Sequence, residues 1–210
     1  MQIIKNIFLL LLFGISSNLW SQNGYKNFSW GMSEGAVRNE VQSQLKMSEF
    51  GQKYPDANGW EKNYTNVFPS TDFIAITEFR NPKIDWWPQD LSSFRGNWDG
   101  EGSGIFTFSN NKLVSVTLWW NFKSSALQDL INIRGQGRII RIMSSGKEIL
   151  TRVWQNGDRY IVWCQGESIG IAETVSYIDA NWINSIIDER YKKALQYQQE
   201  QREKNRKLLD

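Results

Sequence analysis

The chain has no histidine, a single cysteine and four prolines in 210 residues. Without histidine there is no imidazole base, no imidazole ligand for zinc, and no Ser-His-Asp or Cys-His relay. One cysteine, Cys164, forbids an internal disulfide; in the apolar stretch RYIVWCQG it reads as a buried, inert thiol. Charge of one sign is also missing: 24 basic against 22 acidic residues leave a net +2, too little for a global field that recruits nucleic acid or acidic lipid. A phosphate loop is absent too, because Gly146-Lys147 has Arg141 where the motif needs its first glycine. What the chain does have is aromatic mass. Aromatics make up 14% of residues, 11 of them tryptophan, so a domain without disulfides has the material for a core.

The N-terminus carries a basic residue, Lys5, then the apolar run Ile7 to Ile15, then the small-polar stretch SSNLWSQ. That run is far shorter than the roughly 20 residues of a membrane span, and the three parts together are those of a cleavable signal. Cleavage is expected after Ser21, leaving Gln22 as the mature N-terminus. Residues 1–21 are thus read as a signal peptide. No later run is long and apolar enough to span a bilayer, so export to the periplasm or beyond, without a membrane span, is expected.

Periodicity predicts an α+β protein. Ser33 is a plausible N-cap for a helix over 33–47, with Glu34 in its first turn and Val37, Val41 and Leu45 on one face. The stretch from Phe50 to Trp60 reads as a loop. DFIAITEFR, residues 72–80, alternates like a strand, with Phe73, Ala75 and Phe79 on one face. A long loop, 81–102, then precedes a hairpin whose turn is Asn110-Asn111. In its second strand Val114, Val116, Leu118 and Trp120 are expected on one face, with Leu113, Ser115, Thr117 and Trp119 on the other. A helix over 124–133, four strands joined by short turns, and a third helix from about Asn181 complete the order. The third helix has an apolar stripe running through Tyr191, Ala194 and Leu195, and a solvated extension beyond Tyr197. The organisation is a helix followed by an antiparallel β-meander, two such halves in tandem (22–122 and 123–210), with a long C-terminal helix.

The segment Trp30-Gly31-Met32-Ser33 through Val37, and the hairpin GIFTFSNNKLVSVTL, resemble elements of small exported bacterial helix-plus-antiparallel-sheet proteins. Those proteins are similar to the modules of outer-membrane assembly lipoproteins and of beta-lactamase inhibitor protein. The resemblance implies a fold and an envelope setting. It does not imply a lipid anchor, since no lipobox cysteine is present, nor the inhibitors' paired cysteines.

Candidate sites cluster between the two predicted strands of the first half. Trp86, Trp87 and Trp98 lie on the predicted loop and, with Trp119, form a candidate surface for a glycan or a protein of the cell envelope. The alternative is that these rings fold back and cap the sheet. Asn97, Asp99, Glu101 and Ser103 alternate in NWDGEGSG, as oxygen ligands do in calcium loops, but the twelfth position is Phe108 rather than glutamate. The plain alternative is a surface turn. Arg134, Arg138 and Arg141 read as a solvated sheet edge. Among carboxylates, Asp72, Glu78, Asp85, Asp90, Asp99 and Glu101 are free for acid–base work, with nothing marking two as partners. Two acceptor sequons, at Asn27 and Asn63, matter only in a host that glycosylates them. The first expectation is a non-catalytic exported binding or envelope-associated module. A small carboxylate-dependent glycan hydrolase and a calcium-stabilised structural module are the alternatives.

Overall fold

The structure, a computed structural model, describes residues 24–44, 71–80, 88, 90–98, 102–120, 123–144, 146–166 and 173–207. The elements in chain order are β1 (Gly24–Tyr25), β2 (Phe28–Ser29), α1 (Glu34–Gln44), α2 (Thr71–Arg80), β3 (Leu91–Trp98), β4 (Gly102–Ser109) and β5 (Lys112–Trp120). They continue with α3 (Ala126–Arg134), β6 (Arg138–Ser144), β7 (Lys147–Asn156), β8 (Arg159–Gln165), β9 (Glu173–Asp179) and α4 (Ala180–Lys207). Strands β3 to β9 form one antiparallel sheet in the order β3-β4-β5-β9-β8-β7-β6. The two meanders therefore meet at β5 and β9, where Val116 pairs with Tyr177 and Leu118 with Val175.

Helices cover both faces of this sheet. On one face, α1 and the β1–β2 hairpin close over Phe94, Phe106, Phe108, Leu113 and Val116, and α3 closes over Trp154, Ile161, Trp163 and Val175. On the other, α2 and the first three turns of α4 pack on Ile142, Ile149, Val153, Tyr160, Val162 and Ile178. Burying both faces of a seven-stranded sheet explains how the fold dispenses with disulfides: the apolar area removed from water supplies the stabilisation.

Local chemistry accounts for most element boundaries. The Ser33 hydroxyl accepts the Ala36 amide at 3.3 Å, an N-cap, and Glu34 pairs with Arg38 one turn on at 2.7 Å. The Asn110-Asn111 turn has φ of 50° and 59°, the left-handed pair that a two-residue hairpin of this hand requires and that asparagine tolerates. Asp179 caps α4 by accepting the Asn181 amide at 2.9 Å. The segments singled out for their resemblance touch each other: Gly31 N–H donates to Leu113 O at 2.9 Å, and Leu113 N–H donates to Met32 O at 2.8 Å.

Four expectations are corrected. Residues 71–80 are helix α2, not a strand. Thr71, Ile74, Ile76 and Thr77 are β-branched and mimic strand composition, but Asp72, Phe73, Ala75, Ile76 and Thr77 are all buried, a spread of neighbours that alternation cannot produce. Acidic Asp72 in the first turn and basic Arg80 in the last complement the helix dipole. The expected loop over 81–102 holds β3 at 91–98, paired through its whole length with β4. Its sequence, LSSFRGNW, hides the strand because it sits at the sheet edge and needs few apolar residues. In β5 the alternation breaks at a register shift opposite Thr107 and Phe108, where Val114 is the extra residue. Leu113 thereby joins Phe106 and Val116 in one core, instead of facing away from them. Finally, solvent meets α4 earlier than its stripe suggests: burial stops at Arg190, and Tyr191, Ala194 and Leu195 are exposed. About 25 Å of helix, 191–207, runs along solvent.

Candidate functional site

The face of the sheet toward α2 is apolar over most of β6 to β8 and turns polar toward its centre and the β3 side, where Ser93, Thr107 and Ser115 are buried. At the centre Thr117 of β5 pairs with Ser176 of β9, and Thr174 of β9, Cys164 of β8 and Thr151 of β7 form the adjoining cross-strand row. Asp72, in the first turn of α2, comes down on this polar patch. Its carboxylate accepts from the Ser176 hydroxyl, from the Cys164 thiol at 3.1 Å and, more weakly, from Thr117 at 3.5 Å; Thr117 and Ser176 are themselves 2.7 Å apart. Thr151 Oγ1 is buried without a hydrogen-bond partner among the described residues.

Chemically, this cluster is a pin. Asp72 is 3% exposed and Cys164 1%, so no substrate reaches them in this conformation. The thiol donates to the carboxylate and is packed in the main core, in keeping with the expectation of a buried and inert cysteine. Hydrogen bonds to a buried carboxylate contribute about 1.5–3 kcal/mol each, and here they lock α2 onto three neighbouring strands, β5, β9 and β8. Of the other carboxylates offered for acid–base work, Glu78 is exposed on α2, and Asp90 accepts from Ser109 Oγ and the Asn110 amide, both at 2.7 Å, bracing the hairpin. A buried Asp72 and an exposed Glu78 do not share a cleft. Glu173 is likewise structural: it accepts from Trp163 Nε1 at 2.7 Å and from the Ser124 amide at the approach to α3.

Of the residues expected to bind ligand, Trp98 and Trp119 fall at the same end of the sheet, on the strands either side of β4. Trp86 and Trp87 lie outside the described residues, as do Asp85, Asp99, Glu101, the sequon Asn63 and the cleavage pair Ser21 and Gln22. Asn97 and Trp98 are the last residues of β3, paired with Ser103 and Gly102. Trp119 faces the α2 side of the sheet and is only 8% exposed, while Trp120 packs against the α3 core. Asn97 and Ser103 are the calcium candidates with a described backbone, and both are held in strands, paired with each other across β3 and β4.

A surface that periodicity did not single out lies at the far end of the sheet. Strand β6 has a partner on one side only, β7, so its outer backbone edge is unpaired among the described residues. Its inward residues Ile140 and Ile142 pack on the core shared with α2. Its opposite face carries Ile139, Arg141 and Met143, and here the helices stop short: Ile139 is 52% exposed and Met143 68%. Arg138 and Arg141 stand where a solvated edge was expected, whereas Arg134, expected there too, is the last residue of α3. Arg141 pairs with Glu148 across the strands, Arg138 lies over the Phe79 ring at 4.7 Å, and Arg152 Nη1 donates to Gln136 O at 2.6 Å. The turn that launches β6 wraps Trp154, whose Nε1 donates to Gly135 O at 2.9 Å. Two of its glycines, Gly135 and Gly137, have φ of 77° and 65°. The missed signal was RIIRIMS itself: the adjacent apolar pairs Ile139-Ile140 and Ile142-Met143, on either side of Arg141, cannot all face one core.

No family model matches the chain, and no curated protein matches it. Among solved structures, a cysteine-rich secretory protein from Staphylococcus aureus subsp. aureus Mu50 is similar over 53% of this chain and 44% of its own, at 11% identity and a TM-score of 0.27. The chain therefore spans less than half the length of that protein, and a likeness of this grade carries no argument about fold or function. Among the described residues no helix is long and apolar enough to cross a membrane.

Proposed function

We propose that the chain is an exported, non-catalytic binding module of the cell envelope, and that it binds through the β6 end of its sheet. One observation carries this reading: a strand edge that is unpaired among the described residues, flanked by Ile139 and Met143 in solvent and interleaved with arginine. An open edge is a template for another chain, and proteins ordinarily blunt it with charge or cover it. Arginine alone would be such blunting. Two large apolar side chains beside it work against that purpose and supply contact area instead. The buried state of Asp72, Cys164 and Ser176 supports a structural rather than a chemical role for the main polar cluster. Export rests on the N-terminal pattern of Lys5, the run Ile7 to Ile15 and the exit at Ser21.

The test is capture of envelope components by the purified chain and by its Ile139→Asn/Met143→Asn variant, both checked for cooperative unfolding. Loss of capture in the folded variant supports the reading. Undiminished capture places binding elsewhere, with the segment around Trp86 and Trp87 the next to substitute. Hydrolysis of an envelope glycan by the wild type would replace the binding reading with the enzymatic one.

A further inference from the structure

Resting on that binding surface, we propose that its partner is an extended, acidic chain segment that adds to β6 as an eighth strand. The backbone argument comes first. A seven-residue edge strand spans about 23 Å and offers a row of outward N–H and C=O groups that another strand pairs directly. A side-chain-only contact or a lipid surface leaves those groups to water. Charge then selects the segment. On β6 and the β7 strand behind it stand four cations, Arg138, Arg141, Lys147 and Arg152, and one carboxylate, Glu148. Arg141 and Glu148 neutralise each other in part, which leaves an excess of positive charge along the edge. Because Ile139, Arg141 and Met143 share one face while Arg138 lies on the other, the matching segment carries an acid opposite Arg141 with apolar residues two positions to either side, beside Ile139 and Met143, and a second acid three positions from the first, opposite Arg138.

The same charges disfavour a second copy of this chain as the occupant. Centring an antiparallel β6–β6 pair on Arg141 sets the two arginines opposite each other, and shifting it by one step places them on the diagonal, still within reach. Like charges there oppose pairing.

The experiment selects octapeptides from a random displayed library on the purified chain, then remakes the best binder with single N-methyl amides. Strand addition predicts enrichment of an apolar-x-acid-x-apolar pattern with a second acid three positions from the first. It also predicts a loss of about tenfold or more at every second N-methyl position, with little change at the positions between, because only alternate amides face the edge. Arg138→Glu/Arg141→Glu should weaken the acidic binder about tenfold or more and favour its lysine counterpart. Enrichment without acidic residues, or N-methyl sensitivity with no period of two, overturns the proposal. Uptake by anionic phospholipid vesicles that disappears in Ile139→Asn/Met143→Asn, with no peptide selected, overturns it in favour of a lipid surface. If envelope capture still depends on Ile139 and Met143 while the peptide results fail, the binding module survives and strand addition falls. If capture is independent of both residues, the surface itself falls.

Discussion

Replacing Gly137 by alanine should destabilise the protein far more than the same change at Gly146, and the difference isolates one contact. Both glycines have left-handed backbones, with φ of 65° and 78°. A Cβ in that region costs about 1–2 kcal/mol, partly offset by about 0.4–1 kcal/mol of lost freedom in the unfolded chain. At Gly146 nothing lies within 4 Å of the new Cβ, so Gly146→Ala should cost about 1 kcal/mol. At Gly137 the Cβ would sit 2.5 Å from Cε2, 2.6 Å from Nε1 and 2.9 Å from Cδ2 of Trp154. Relief requires the indole to move by about 1 Å. Trp154 is buried against Leu130, Ile161 and Trp163, so that movement overpacks a filled core, at about 1–3 kcal/mol. It also strains the bond from Nε1 to Gly135 O, about 1 kcal/mol more. Gly137→Ala should therefore lose about 3–5 kcal/mol in all. Urea unfolding followed by tryptophan fluorescence measures both variants, with an unchanged slope confirming a comparable unfolded state. A Gly137→Ala variant within about 0.5 kcal/mol of Gly146→Ala would refute the packing of the turn against Trp154, and with it the placement of the β6 edge.

Asp72→Ala should lose about 3 kcal/mol or more by chemical denaturation, because Ser176, Thr117 and Cys164 lose a shared acceptor, whereas loss below about 1 kcal/mol would show that the polar pin is dispensable. Arg141→Ala should change stability by less than about 0.5 kcal/mol, since its ion pair with Glu148 is solvent-exposed; a larger loss in the same denaturation would contradict that picture. At the start of α4, Asp179→Ala should cost about 1 kcal/mol and Asp179→Asn much less, because asparagine keeps the cap acceptor; equal losses would exclude the cap. Tyr177 is partly buried, and desolvation holds its phenol above the ordinary value despite Arg134 and Arg159 nearby. Above pH 10 the unfolded chain releases this proton before the folded one does, so stability should fall as pH rises there; Tyr177→Phe should flatten that fall, and an unchanged slope would disprove it.

How much of this was legible depended on whether a pattern had one physical reading. The Asn110-Asn111 hairpin was plain because few residues accept two consecutive left-handed backbones. Strands β6 to β9 and the cap at Ser33 were legible for similar local reasons. Helix α2 was not: a helix buried on most sides by the sheet and α4 loses the polar stripe that marks its period, and tertiary burial overrode its β-branched composition. Strand β3 was hidden by the opposite cause: among its described side chains, Leu91 and Phe94 are the ones that enter cores. The register shift at Val114 turned a correct alternation into a wrong assignment of faces for Leu113. For the site, the arginines of β6 were placed correctly at an edge, but exposure of Ile139 and Met143 depends on where α3 ends over the sheet, a tertiary fact. Trp119 shows the converse: an attractive surface aromatic in sequence, it is enclosed by the α2 side of the fold.

The most direct measurement is amide hydrogen exchange of the chain alone and with a captured partner or selected peptide. Binding at the sheet edge by strand addition predicts new protection at alternate amides of Arg138–Ser144, with the β3 edge unchanged. Protection confined to any other element, with β6 exchanging as before, would contradict it.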